Sequence, residues 1–192
     1  MNKATKLTQN WKHNLPMWIT YSRIFFIPPL IYCLLLNTST SNLVAALLFA
    51  MASITDYYDG YFARKYNAIS NMGKFMDPVA DKILVSSIFV MLVFLNKIDP
   101  YMVIIVLARD TYIGGLRAIA AADQFVIAAK PSGKWKTALQ MGAIPFIMIG
   151  NFDNLPIATW AYWVLWLSVI LSLTSGFEYY LLYKAGLKNN CS

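Results

Sequence analysis

Six apolar runs, each about the length of a bilayer crossing, follow one another along this 192-residue chain with only short polar turns between them. They fall at about 17–37, 43–62, 77–95, 100–122, 134–150 and 157–183. A helix of about 20 apolar residues crosses the hydrocarbon layer. It also satisfies its own backbone polar groups, which an open strand cannot do in lipid. The pattern predicts an all-α, polytopic membrane protein with six transmembrane helices. An N-terminal interfacial segment covers 1–16, the membrane domain 17–184 and a tail 185–192. Composition agrees: 58% of residues are apolar and 13% charged, against roughly 45–50% and 25% in soluble domains. The first 16 residues are polar and basic, and the run after them is too long for a signal-peptide core, so it reads as a retained span. Pro28 and Pro29 should kink that span. The two cysteines, Cys33 and Cys191, sit in a span and in the tail, so neither a disulfide nor a metal site is expected of them. His13 is expected at the surface or the interface.

Charge orients the spans. With the N-terminus inside, the inner loops and nearby span ends hold Lys3, Lys6, Lys12, Arg64, Lys65, Lys74, Lys82, Lys130, Lys134, Lys136, Lys184 and Lys188, while the outer turns hold only Lys97. This asymmetry predicts an integral protein of the cell membrane with both termini in the cytoplasm. The net charge of +7 would suggest nucleic acid in a soluble chain. Here the basic residues flank spans and suit anionic lipid head groups, so membrane lipids are the expected partners and nucleic acid is not.

Only nine residues are acidic, and four of them fall in DYYDGYFARKYNAISNMGKFMDPVADK, residues 56–82. Asp56 and Asp59 are three apart at the inner end of the second run; Asp77 and Asp81 are four apart at the start of the third. Each pair shares a helical face. Antiparallel spans joined by a short loop bring both pairs to one cytoplasmic location. Four carboxylates there repel one another unless a cation holds them. Hard divalent ions with oxygen ligands do so, and two such ions suit phosphoryl chemistry. Small residues interleave with the acids, and Arg64 and Lys74 can neutralise phosphate oxygens. Surface ion pairing with Arg64, Lys65, Lys74 and Lys82 is the bland alternative.

The spacing D-x2-D-G-x2-A-R-x8-G-x3-D-x3-D, from Asp56 to Asp81, resembles the signature of the CDP-alcohol phosphatidyltransferases, with every fixed position present. The resemblance implies six membrane helices and transfer of a phosphatidyl group from a CDP-linked lipid to an alcohol, with loss of CMP. It also implies a homodimer with two divalent ions, Mg²⁺ or Mn²⁺, in each active site. Carried over by position, Asp56, Asp59, Asp77 and Asp81 would be metal ligands and Asp81 also the general base. Gly60, Ala63, Arg64 and Gly73 would contact the cytidine nucleotide.

Two further segments bear on the acceptor. NLPMWITYSRIFFIPP, residues 14–29, is similar to the N-terminal segment of the phosphatidylglycerophosphate synthases within that family, matching at Asn14, Pro16, Thr20 and Arg23, with Met17 and Ile19 departing from it. ARDTYIGGLRAIAA and PSGKWKTALQM, within residues 108–141, resemble their R-E-x5-L-R and G-K-x-K-T-x-x-Q segments, with Asp110 in place of the usual Glu. The resemblance implies CDP-diacylglycerol and glycerol 3-phosphate as substrates. Asn14 and Thr20 would join the CDP-lipid contacts, and Arg23, Arg109, Arg117, Lys134 and Lys136 would take the acceptor phosphate. Arginines inside a span are costly unless they line a polar cavity. Their bland alternative is a pair with Asp110, which shares a face with Arg117 seven residues on; for Lys136 it is an ordinary inner-face charge. Trp160, Trp163 and Trp166 read as lipid-facing or belt residues, and the last fifty residues add only hydrophobicity. Three rivals stand: the same chemistry with phosphatidylglycerol or inositol phosphate as acceptor, a CDP-lipid-binding protein without activity, and a metal-ion transporter. Against the last, the acids lie at one face and no internal repeat is visible.

Overall fold

Helix ends here are set by local chemistry that the chain carries at each turn. A computed structural model describes residues 24–65, 71–122, 131–151 and 155–190, with backbone alone at 56–65, 71–78, 121–122, 131–132 and 185–190. Among these residues the fold is all-helical, with no strand. The helices are α1 (Ile24–Leu36), α2 (Ser39–Lys65), α3 (Asn71–Phe94), α4 (Pro100–Ala122), α5 (Pro131–Ile149) and α6 (Ile157–Asn190). α1 stays helical through Pro28 and Pro29.

The α1–α2 turn is tighter than the predicted polar stretch. Asn37 adopts φ 45°, and Thr38 caps α2. The Thr38 Oγ1 accepts the Ser41 N–H at 3.2 Å, while the Ser41 Oγ accepts the Thr38 N–H at 3.0 Å. This reciprocal box satisfies two amides at once. α3 ends in a Schellman motif. Asn96 takes φ 54°, its N–H reaches the Val93 carbonyl at 2.9 Å, and the Lys97 N–H reaches that of Leu92 at 2.9 Å. A left-handed residue other than glycine is strained. Asn96→Gly is therefore expected to be neutral or stabilising and Asn96→Ala to cost about 1 kcal/mol, read as opposite shifts in the melting temperature of the purified protein. Pro100 and Pro131 open α4 and α5 at the position where a missing N–H costs nothing. Gly150, at φ 92°, closes α5.

The basic loop expected to run to about residue 75 is shorter. α2 continues to Lys65 and α3 begins at Asn71, so only residues 66–70 separate them. No glycine or proline interrupts 61–65, and continuing the helix satisfies its backbone groups.

One helical segment among the described residues, Ile157–Lys184, is long and apolar enough to cross a membrane. Its 28 residues are about 42 Å of helix, more than the hydrocarbon thickness. α1 and α2 show shorter apolar stretches, Ile24–Leu36 and Ser39–Thr55. α4 is interrupted by Arg109, Asp110 and Arg117, and α5 carries Lys134 and Lys136. These charges dilute the apolar signal of the helices that bear them.

The chain forms two compact units, residues 1–91 and 92–192. In the first, α1 buries Leu30 and Leu34, α2 buries Ala45, Phe49 and Ala52, and α3 buries Ala80, Leu84 and Ile88. In the second, α4 and α5 both pack on α6. Side-chain contacts fix the directions. Asp99, just before α4, accepts a hydrogen bond from Tyr162 near the start of α6, and Arg117 near the end of α4 reaches Tyr179. Gly133, at the start of α5, also lies against Tyr179, and Lys97 donates to the carbonyl of Met148 at the end of α5. α4 and α6 therefore run the same way and α5 the opposite way, as successive crossings would.

The inside of this unit is mostly apolar but also holds several polar groups, and large apolar side chains lie on its outside. Lys136, Gln140, Ser168, Ser172 and Ser175 are buried, while Ile170, Leu173, Phe177, Trp160 and Trp163 are exposed. Large apolar patches on the outside are uncommon in a soluble protein. In lipid, small and hydroxyl residues let helices approach closely, which is what α6 offers through its serines.

Candidate active site

The predicted aspartates fall on two helix ends joined by a short link. Asp56 and Asp59 lie in the last three turns of α2, followed on the same helix by Gly60, Ala63 and Arg64. Gly73, Asp77 and Asp81 lie in the first three turns of α3. The link of residues 66–70 spans at most about 21 Å fully extended. The side chains of Asp56, Asp59, Gly60, Ala63, Arg64, Gly73 and Asp77 lie outside the described residues, as do Asn14, Thr20 and Arg23 entirely. Asp81 is described and is half-buried, on a turn anchored by the buried Ala80 and Leu84. The donor set is four carboxylates and nothing softer. That fits a hard divalent cation such as Mg²⁺ and does not suit a thiophilic metal.

The second group of predicted residues meets in unit two. Arg109 is held at every polar atom of its guanidinium. Its Nε donates to the Ser172 carbonyl at 3.0 Å, its Nη1 to Asp110 Oδ1 at 2.9 Å and its Nη2 to the Ser175 hydroxyl. Asp110 also receives Lys136 Nζ on both oxygens, at 2.8 and 2.7 Å. The Lys136 side chain is only 4% exposed and that of Asp110 24%. Lys136 is therefore no ordinary surface charge but one arm of a partly buried ion triad. Lys134, two positions away and so on another side of α5, is exposed and stands apart.

Of the alternative pairs with Asp110, that of Arg109 forms and that of Arg117 does not. Seven residues are about 10.5 Å of helical rise, and direct pairs form at three or four. Arg117 instead donates from Nη2 to the Tyr179 hydroxyl at 2.7 Å, and its Cζ lies 4.8 Å from that ring's centre. Tyr179 is 2% exposed, and the cation over its face adds an electrostatic attraction. Gly133 brings the start of α5 near the same hydroxyl, with a position for Cβ 3.8 Å away.

Arg109 and Lys136 thus meet on Asp110 beside α6, and Arg117 lies on Tyr179 further along that helix, next to Glu178 in the sequence. Guanidinium and ammonium groups of this kind can bind the oxygens of a phosphate monoester. Among the described residues of this unit, the buried Gln140 Oε1 and Ser172 Oγ have no hydrogen-bond partner. Buried orphans of this kind mark a place where water or a ligand belongs. Toward the other end of the unit the chemistry differs. Lys97 is bound to the end of α5, and burial pushes its ammonium below the usual lysine range.

Reading the sequence missed Ser172, Ser175, Gly176 and Tyr179, because α6 registered only as an apolar run. Its signal was the spacing of Ser168, Ser172, Ser175 and Gly176 at three and four residues, a polar stripe on one side of a lipid-facing helix. Trp160 and Trp163 are exposed, as lipid-facing residues should be.

Relatives carry the same kind of chain. A Rickettsia bellii protein named CDP-diacylglycerol–glycerol-3-phosphate 3-phosphatidyltransferase is 35% identical over 169 residues, covering 87% of this chain and 93% of its own. The Bacillus subtilis protein of that name is 37% identical over 183 residues, with 87% and 93% covered. The Haemophilus influenzae one is 33% identical over 186 residues, with 93% and 98% covered. Residues 13–174, which contain both helix ends with their aspartates and the cationic cluster, match the family description CDP-alcohol phosphatidyltransferase. Motif, membrane-like helices and relatives agree, and the chain belongs to the CDP-alcohol phosphatidyltransferase family.

Proposed function

We propose that this protein transfers the phosphatidyl group of CDP-diacylglycerol to glycerol 3-phosphate, giving phosphatidylglycerol phosphate and CMP. The partly buried cations of α4 and α5, with Arg109 and Lys136 on Asp110 and Arg117 on Tyr179, are the observation that carries the choice of acceptor. It supports an acceptor that brings its own phosphate and gives no reason to bind a zwitterion such as serine. The names of the relatives point the same way.

In the reaction, the acceptor hydroxyl oxygen attacks the phosphorus that bears diacylglycerol. The bond from that phosphorus to the bridging oxygen breaks, and CMP leaves with the electron pair. Asp81 takes the hydroxyl proton, since a hydroxyl is too weak an acid to react without a base in hydrogen-bond reach. Arg109, Arg117 and Lys136, with Arg23 and Lys134, hold the acceptor phosphate. Asn14, Thr20, Gly60, Ala63, Arg64 and Gly73 hold the cytidine nucleotide. Asp56, Asp59, Asp77 and Asp81 would hold two divalent cations, Mg²⁺ or Mn²⁺, whose charge offsets that of the phosphate oxygens. Residues 17–184 act as one catalytic domain with six membrane crossings, in a homodimer of the cell membrane whose aspartates face the cytoplasm.

The test is CMP release by detergent-solubilised protein given CDP-diacylglycerol and Mg²⁺, with glycerol 3-phosphate, inositol phosphate, serine or phosphatidylglycerol supplied singly. Release is expected only with glycerol 3-phosphate, and a chelator should stop it. Release with another acceptor alone would keep the chemistry and overturn the substrate. No release with any of them would overturn the enzymatic reading.

A further inference from the structure

Gly176 lies inside α6, far from either end of Ile157–Asn190. Its backbone is not in the left-handed region, so no turn requires glycine there. Glycine weakens a helix interior relative to alanine. What the position supplies is space. A Cβ added at Gly176 would lie 3.3 Å from Cγ of Arg109, 3.8 Å from its Nε and 3.9 Å from Cδ1 of Ile113. The arginine stem crosses α6 where a side chain is missing.

That stem cannot easily move aside. Beyond it, the Arg109 guanidinium is bound by the Ser172 carbonyl, the Ser175 hydroxyl and the Asp110 carboxylate, which engage three of its five N–H groups. The Ser172 carbonyl is backbone of the same helix, one turn before Gly176, so α6 fixes both the head and the stem. We propose that Gly176 is a positioning residue. Its missing side chain sets where the Arg109 guanidinium stands, and thereby how well the protein takes an acceptor that bears a phosphate. The inference rests on the reading of Arg109 as an acceptor-phosphate ligand and adds α6 as the element that decides its geometry.

Substitution at a helical glycine separates positioning from stability. Alanine favours the helix, while its methyl group pushes Arg109 by a few tenths of an ångström. Reactant misplacement of 1 Å costs on the order of a hundredfold, so Gly176→Ala is expected to raise KM for glycerol 3-phosphate roughly five- to tenfold. Gly176→Val should raise it further. KM for CDP-diacylglycerol should stay at its wild-type value, the melting temperature of Gly176→Ala should hold at or above that of wild type, and kcat at saturating acceptor should stay close to wild type. Phe177→Leu, a change at an exposed neighbour on the same turn, serves as control. Full-length protein in detergent with Mg²⁺ is used throughout. An unchanged KM for glycerol 3-phosphate in Gly176→Ala, while wild-type protein turns over that acceptor, would overturn the inference alone. So would a parallel loss of kcat, both KM values and melting temperature, which would make Gly176 a packing residue. Wild-type protein that does not turn over glycerol 3-phosphate at all would overturn the functional reading and this inference with it.

Discussion

Asp81→Asn is expected to lower kcat for CMP release by roughly 10²–10⁴, the usual contribution of a positioned base. The substitution keeps the size of the side chain and one oxygen, and it removes the ability to take a proton at neutral pH. Asp81 sits half-buried on a turn of α3 whose neighbours Ala80 and Leu84 are packed inside the first unit. The helix should therefore survive the change, and the melting temperature should move little. Two measurements separate the base from a ligand that merely holds a cation. Binding of CDP-diacylglycerol by the variant should persist. Raising Mg²⁺ well above the wild-type requirement should not restore turnover. Activity that returns at high Mg²⁺ would reassign Asp81 to cation holding alone, and activity near wild type would remove it from the mechanism.

The second large effect concerns stability. Asp110→Ala strips the carboxylate from Lys136, whose side chain is 4% exposed and whose Nζ lies 2.7 and 2.8 Å from the two Asp110 oxygens. Breaking a buried ion pair from one side typically costs about 3–5 kcal/mol, because the remaining charge stays buried. For a chain of this size that is a fall in melting temperature of roughly 10 °C. Lys136→Met should cost less, since Asp110 keeps Arg109 at 2.9 Å. The double variant Asp110→Ala, Lys136→Met removes both charges and should regain part of the lost stability, yet KM for glycerol 3-phosphate should remain high. Recovery of acceptor binding along with stability would mean that the triad only holds helices together. A melting temperature unchanged in Asp110→Ala would mean that the pair contributes no net stability.

The two candidate groups differ in how they could be read from the chain. The aspartates are local: Asp56 with Asp59, and Asp77 with Asp81, sit at spacings that put each pair on one helical face, at two helix ends five residues apart in the sequence. The triad is not local. Arg109 and Asp110 were visible as charges out of place in an apolar run, but their partners lie 26 to 66 residues away, on α5 and α6. The same absence of local signal hid the partner of Arg117, an aromatic ring 62 residues on, where spacing had offered only Asp110 as an alternative.

Helix type and approximate limits followed from periodicity, proline position and the run lengths set by a bilayer, because those depend on neighbours in sequence. The sequence alone also determined the family, through eight residues at fixed intervals. Tertiary structure decided which face of each helix is polar. Ser168, Ser172, Ser175 and Gly176 look like minor interruptions of an apolar helix until α4 and α5 pack against them. Only then does a missing side chain become room for an arginine, because close packing gives every absent atom a neighbour that can use the space.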